Sequence, residues 1–195
     1  MLSNRINSLP ASATLAMAAK ARELKNQGID IIGLSLGEPD FNTPEFIKDA
    51  AIQAVNDNYN SYSPVDGYAD LKAAICEKFK RDNGLDYQPS QVVVSTGAKQ
   101  SIANLCMVLL DPGDEVLLPA PYWVSYSAIA TLAEAKSTII PSSIDSDFKI
   151  TPEQLEAAIT PKTKLVMFNS PNNPSGTIYT EKEYRALGEV LKKYP

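Results

Sequence analysis

The sequence predicts an α/β fold built on a mainly parallel sheet with helices on both faces. Two observations carry this. From residue 92 onward, short apolar runs of four or five residues alternate with longer stretches of helical apolar spacing. Repeated strand–helix units of this size pair their strands in parallel, because each helix returns the chain to the same edge.

Residues 12–27 read as a first helix, with Ser12 as its cap and Gly28 just past its basic, amide-rich end. Residues 31–36 read as a short strand that runs into the turn Gly37–Phe41. Thr43, Pro44 and Glu45 open the next helix, with Thr43 as cap and Pro44 at its first position, and it runs to about Asn56. Residues 59–68 are polar and turn-rich. Leu71, Ala74, Ile75 and Phe79 then mark a helix closed by Gly84. Strands are expected at 92–95, 115–118, 136–140 and 164–168, and helices at 99–110, 123–134, 152–159 and 181–193. The last helix has no following strand to pack beside, so the sequence reads as a piece of a longer chain.

Composition narrows the function classes. Of 195 residues, 44% are hydrophobic and 21% charged, as in an ordinary globular protein. A net charge of −5 disfavours nucleic acid as the main partner, since phosphate backbones are bound by clustered Lys and Arg. No apolar run approaches the roughly 18 residues of a membrane span. The amino end has no apolar signal core. Cys76 and Cys106 lie far apart in helical patterns and read as reduced core thiols of a cytoplasmic protein. Histidine is absent, which removes imidazole triads and His-containing zinc sites from this stretch.

Three motifs carry the chemistry. Asn169-Ser-Pro-Asn-Asn-Pro-Ser-Gly176 follows an apolar strand, and its prolines end the ladder and fix the turn. Its adjacent asparagine amides stand at the carboxyl end of a strand, where open α/β sheets take ligands. Gly97-Ala98-Lys99 joins a strand to a helix start. It is either an anion cradle of free backbone N–H groups or a plain tight connection, and the Walker spacing is absent. Trp123, the only tryptophan, follows Pro119-Ala-Pro-Tyr and either stacks on a flat ring or packs in the core. Tyr62 is a surface tyrosine or a ligand contact. Gly37 permits close backbone approach or a positive φ, and Thr14 reads as capping chemistry or more. Lys99, a cation at a helix start, is opposed by the macrodipole unless it faces an anion. Together a phosphate cradle, a stacking aromatic and an amide at one sheet edge suit a planar aromatic phosphate.

In order along the chain, Ser35–Phe41, Tyr62-Ser-Pro, Gly97-Ala-Lys-Gln100, Pro121–Tyr126 and Ser170–Gly176 resemble the class I pyridoxal-phosphate aminotransferases. Within these, the sequence looks like the bacterial aspartate aminotransferase branch, some members of which also use prephenate. The resemblance implies a partial three-layer αβα large domain of the fold-type I transferases over residues 41–195, with residues 1–40 as an amino-terminal arm and part of the smaller domain. It implies pyridoxal 5'-phosphate as cofactor, its phosphate on Gly97, Ala98 and Lys99, its ring against Trp123 and its phenolic oxygen on Asn173. Tyr62 matches a tyrosine that crosses a homodimer interface to the partner's cofactor phosphate. Gly37, Asn173 and Trp123 match substrate contacts, and Thr14 and Lys99 match positions associated with the distal carboxylate of acidic substrates. Cis bonds before Pro121 and Pro174 are expected. Substrates would be an amino acid and a 2-oxo acid. The Schiff-base lysine, the acid beside the ring nitrogen and the carboxylate-clamping arginine of the family would fall beyond residue 195, so no catalytic residue is expected here and the chain alone would be inactive. Two other readings stay open: a related lyase or synthase, and a non-catalytic ligand-binding module of the kind joined to DNA-binding domains. No basic segment precedes the arm, which counts against the second.

Overall fold

The computed structural model of the chain describes residues 1–9, 11, 13–34, 37 and 39–194. It forms two compact units, Met1–Leu9 with Ser95–Pro195, and Pro10–Val94. The first unit holds a short helix α1 (Asn4–Asn7), then α5 (Ala98–Leu109), β1 (Glu115–Pro119), α6 (Ser125–Leu132), β2 (Lys136–Ile140), α7 (Pro152–Ala158), β3 (Thr163–Val166) and α8 (Glu181–Leu191). The second holds α2 (Ala13–Asn26), α3 (Glu45–Asn56) and α4 (Ala69–Asn83).

The described sheet is parallel, in the order β2-β1-β3, so the β2-to-β3 connection crosses over β1. All five residues of β1 are buried, as a strand covered on both faces must be. Alternation sorts its side chains. Val116 and Leu118 join Cys106, Tyr126, Ile129 and Ala130 of α5 and α6, whereas Leu117 joins Leu155, Leu187 and Val190 of α7 and α8. Helix pairs on opposite faces of one sheet give the three-layer αβα arrangement that the sequence predicts.

Glu115 fixes the start of the sheet. Its N–H donates to the Lys162 carbonyl at 2.8 Å, and its carboxylate accepts from Thr160 Oγ1 at 2.8 Å and Lys136 Nζ at 3.3 Å. One residue thus ties β1 to β2 and to the turn before β3, where the register shifts between Glu115 and Val116. The helices on the outer face begin as their sequences dictate. Thr151 with Gln154, and Thr180 with Glu183, form reciprocal capping boxes.

Several expectations shift. Residues 92–95 are extended but pair with no described strand, and Val93 stays 69% exposed. A β-rich run makes a strand only when a neighbour supplies the ladder. Residues 31–34 are likewise unpaired, while Ser35 and Leu36, the rest of that expected strand, lie outside the described residues, as does the expected cap Ser12. Pro44 takes the cap position of α3 in extended backbone, so the helix starts one residue later and Thr43 does not cap it. Trp123 and Val124 precede α6 rather than opening it. Gly84 ends α4 in the left-handed conformation, as expected.

In the second unit the loop bearing Tyr62 is anchored at Asp66 and Gly67. The Asp66 carbonyl takes the Val94 N–H at 3.1 Å, and its carboxylate pairs with Lys72 of α4. Gly67 has φ +99°, and a Cβ there would lie 2.6 Å from Val94 Cγ2 and 2.8 Å from its Cβ. Gly67→Ala is therefore expected to cost roughly 2–4 kcal/mol, the sum of positive-φ strain and an overlap that a β-branched neighbour cannot relieve. Urea unfolding monitored by circular dichroism measures it, and a loss under about 0.5 kcal/mol, the size of an ordinary surface substitution, would refute the packing argument.

The bonds from Thr160 and Lys136 hold the Glu115 carboxyl below its ordinary range. Its folded value therefore lies below the unfolded one of about 4.3. The stability it contributes is full above that unfolded value and is lost as the pH falls through the folded one. Glu115→Gln should accordingly be less stable than the unsubstituted chain at neutral pH, with the difference shrinking on acidification. Denaturation midpoints taken from neutral pH downward test this, and a pH-independent difference would contradict it.

Candidate functional site

Parallel pairing places the carboxyl ends of β1 and β3 side by side, and the loops leaving those two ends build the site. After β1 the chain runs Pro119-Ala-Pro-Tyr-Trp123 into α6. After β3 it runs through Asn169–Gly176. The peptide bonds before Pro121, Pro171 and Pro174 are all cis. Two of these were expected, and the third adds a further fixed bend to the corner.

The corner is stitched internally and externally by side-chain amides. Asn172 Oδ1 accepts from the Ser175 N–H at 3.1 Å and from Ser175 Oγ at 2.9 Å, which closes the turn. Asn172 Nδ2 donates to the Pro121 carbonyl at 3.2 Å, reaching the loop that carries Trp123. Asn169 Nδ2 donates to the Pro171 carbonyl at 2.7 Å, and its Oδ1 accepts a long bond of 3.4 Å from the Tyr126 hydroxyl. Asn173 differs from both. It is exposed, and its side chain makes no hydrogen bond among the described residues. Asn169 and Asn172 are committed to structure, while the Asn173 amide is open to a ligand.

Trp123 is half-buried against the α5–α6 side of the core. The Tyr126 ring meets it edge to face, with centroids 5.5 Å apart at 87°. Tyr126 itself is only 6% exposed, and burial pushes its hydroxyl above the usual tyrosine range, so it stays a neutral donor. Lys99 Nζ stands 5.0 Å from the Trp123 ring centroid, a cation–π contact. That contact joins the start of α5 to the loop after β1.

Gly97 precedes α5 with φ +85°, and nothing lies within 4 Å of where its Cβ would be. The glycine is needed for its backbone angle rather than for want of space. In the first turn of α5 the Gln100 N–H already donates to the Gly97 carbonyl at 3.1 Å and the Gly97 N–H to the Ser95 carbonyl at 2.8 Å, which leaves the Ala98 and Lys99 N–H groups for an anion. The Thr96 N–H is held by Gln100 Oε1, which steadies the turn.

Thus the structure brings together Gly97, Ala98, Lys99, Trp123 and the Asn173 corner within one unit. Thr14, Gly37 and Tyr62 belong to the other. There Thr14 lies half-buried in the first turn of α2, Gly37 is exposed, and Tyr62 is fully exposed in the loop anchored by Asp66. The roles of Tyr126, Asn169 and Gln100 were not legible in the sequence, although Tyr126 and Gln100 sit inside motifs that carry the resemblance. Among the described residues there is no group of three or more His, Cys, Asp or Glu placed to hold a metal ion. No described helix is long and apolar enough to cross a membrane.

Known proteins match this arrangement in sequence and in structure. An aspartate/prephenate aminotransferase of Nitrosomonas europaea is 53% identical over 194 residues, which is 100% of this chain and 49% of that protein. An aspartate aminotransferase of Bacillus subtilis is 52% identical over 99% of this chain and 49% of its own length. The crystal structure of the aspartate aminotransferase from Rhizobium meliloti superposes with a TM-score of 0.95 at 47% identity, covering 100% of this chain and 49% of that one. The Thermus thermophilus aspartate aminotransferase with maleate gives 0.95 at 41% identity, covering 99% and 50%. The chain spans about half the length of the curated relatives it matches. Residues 29–195 match the family model described as aminotransferase class I and II, and the chain belongs to that family.

Proposed function

We propose that this chain supplies the phosphate turn, the ring-stacking face and one substrate-reading amide of a pyridoxal-phosphate aminotransferase that exchanges amino groups between an acidic amino acid and a 2-oxo acid. The observation that carries the reading is the convergence of the Gly97–Lys99 turn, Trp123 and the open Asn173 amide at one end of a parallel sheet. The donor set suits the cofactor chemically. Helix-start N–H groups and an ammonium favour a phosphate, an indole face favours a pyridine ring, and a primary amide donates to a phenolic oxygen.

When bound, the cofactor acts as an electron sink for the substrate's α-carbon. This chain's own residues do the holding. Gly97, Ala98 and Lys99 would hold the phosphate, Trp123 would lie against the ring, and Asn173 would donate to the phenolic oxygen and orient the substrate carboxylate. Gly37 offers a backbone contact to that carboxylate, and Thr14 and Lys99 bias the site toward a second, distal carboxylate. Tyr62 serves the partner subunit's cofactor phosphate in a homodimer. Residues 1–40 are assigned to the arm and smaller domain, and the whole protein to the cytoplasm. No lysine of this chain is assigned the covalent role.

In the complete protein, aspartate should shift the visible absorbance band of the bound cofactor, and no shift with any amino acid would overturn the proposal. Lys99→Ala should lower kcat/KM for aspartate by roughly tenfold to a hundredfold, as expected for a lost charge-assisted bond, and affect aromatic substrates less. Equal losses would restrict Lys99 to the phosphate turn. The 195-residue chain, treated with pyridoxal phosphate and borohydride, should retain no stoichiometric pyridoxyl group by mass spectrometry. A single modified lysine would place the covalent chemistry within it.

A further inference from the structure

We propose that Asn172 and the Tyr126–Asn169 pair are positioning residues that lock the Trp123 loop to the Asn173 corner, so that ring and amide meet a ligand as one preset unit. The proposal rests on the reading of Trp123 and Asn173 as ligand contacts and adds how their mutual placement is fixed.

The geometry is specific to two polar ties. Asn172 spends its acceptor on its own turn and its donor on the Pro121 carbonyl, 51 residues away in sequence. Asn169 does the reverse, spending its donor on Pro171 and its acceptor on the Tyr126 hydroxyl, 43 residues away. Each amide thus reads the corner with one end and the loop with the other. Trp123, held edge-on by the Tyr126 ring, lies between the tied residues of its loop, and Asn173, whose amide is uncommitted, directly follows the tied Asn172.

Apolar packing alone does not achieve this. Tyr122 and Trp123 lie against the core cluster, and hydrophobic contact is non-directional, so it sets depth more than orientation. Hydrogen bonds at opposite ends of the loop remove the remaining freedom. A preset site also avoids the cost of ordering these groups on binding.

Trp123 is the chain's only tryptophan, so its emission reports the loop directly. The test compares Tyr126→Phe, Asn172→Asp and the double variant in the 195-residue chain. Asn172→Asp keeps the acceptor that closes the turn and replaces the donor to Pro121 with a carboxylate oxygen, which breaks that tie. Tyr126→Phe keeps the ring and loses only the hydroxyl, and it carries the test alone if Asn172→Asp fails to fold. Each single variant should red-shift the emission of Trp123 and raise its access to acrylamide, with a larger effect in the double variant and unchanged far-ultraviolet circular dichroism. Pyridoxal phosphate, titrated by its quenching of Trp123, should bind about fivefold more weakly in Asn172→Asp, the loss expected for one ordinary hydrogen bond, and by a smaller factor in Tyr126→Phe, whose lost bond is long. Ser175→Ala, which weakens the turn but spares both ties, should lower the melting temperature without moving the emission. Unchanged emission and acrylamide access in the double variant would overturn the proposal, even with a lowered melting temperature. Absence of quenching in the unsubstituted chain counts against the cofactor reading instead, and the emission comparison still decides the ties.

Discussion

Parallel pairing of β1 with its neighbours is the constraint on which the remainder of the first unit depends. Because β1 and β3 run the same way, their exits fall together at one edge, and two segments nearly fifty residues apart become neighbours. Everything polar at that edge derives from this. The prolines after each strand end the ladder, the freed backbone turns, and side-chain amides take over the bonding that the sheet no longer supplies. Glu115 performs the matching task at the opposite end, where the strands begin. The sheet is thus pinned at its start by a carboxylate and at its finish by asparagines. Between them, residues 116–119 of β1 carry no polar side chain to misdirect its register.

Most of this fold was legible in the residues. The strands at 115–119, 136–140 and 163–166 show as apolar runs with turn signals on both sides, and the helices show by spacing and caps, to within a residue or two. Where the reading failed, the missing information was not local. Val92–Ser95 has the composition of a strand but no described neighbour to pair with. Trp123 and Val124 look helical by composition, yet the chain is still turning out of the Pro121 bend when it passes them. Thr43 has the chemistry of a cap, and Pro44 takes the position instead.

The candidate site divides in the same way. Gly97, Lys99, Trp123 and the asparagine corner were visible because their residue types are unusual for simple turns. The division of labour among Asn169, Asn172 and Asn173 was only partly visible. Asn172 could be read as shaping the turn, but its second bond to Pro121 required knowing which strands are adjacent. Tyr126 looks like an ordinary amphipathic-helix residue, and only its hydroxyl partner across the sheet edge distinguishes it.

Helix α5 has an unequal distribution of support. Its first turn stands beside Trp123, and of its residues only Cys106 is fully buried, while Leu105, Met107, Val108 and Leu109 are exposed on its last turns. A helix is cooperative, so its two ends share one stability. Any surface that covers the apolar end makes the whole helix harder to fray, and an anion held at the first turn does the same from the other side. The two events are then linked thermodynamically without touching: each raises the affinity for the other. The affinity of the first turn for any anion is therefore not a property of the Gly97 turn alone. It is set in part roughly twelve to eighteen ångströms away, the length of about eight to twelve helical residues, by whatever lies against the far end of the same helix.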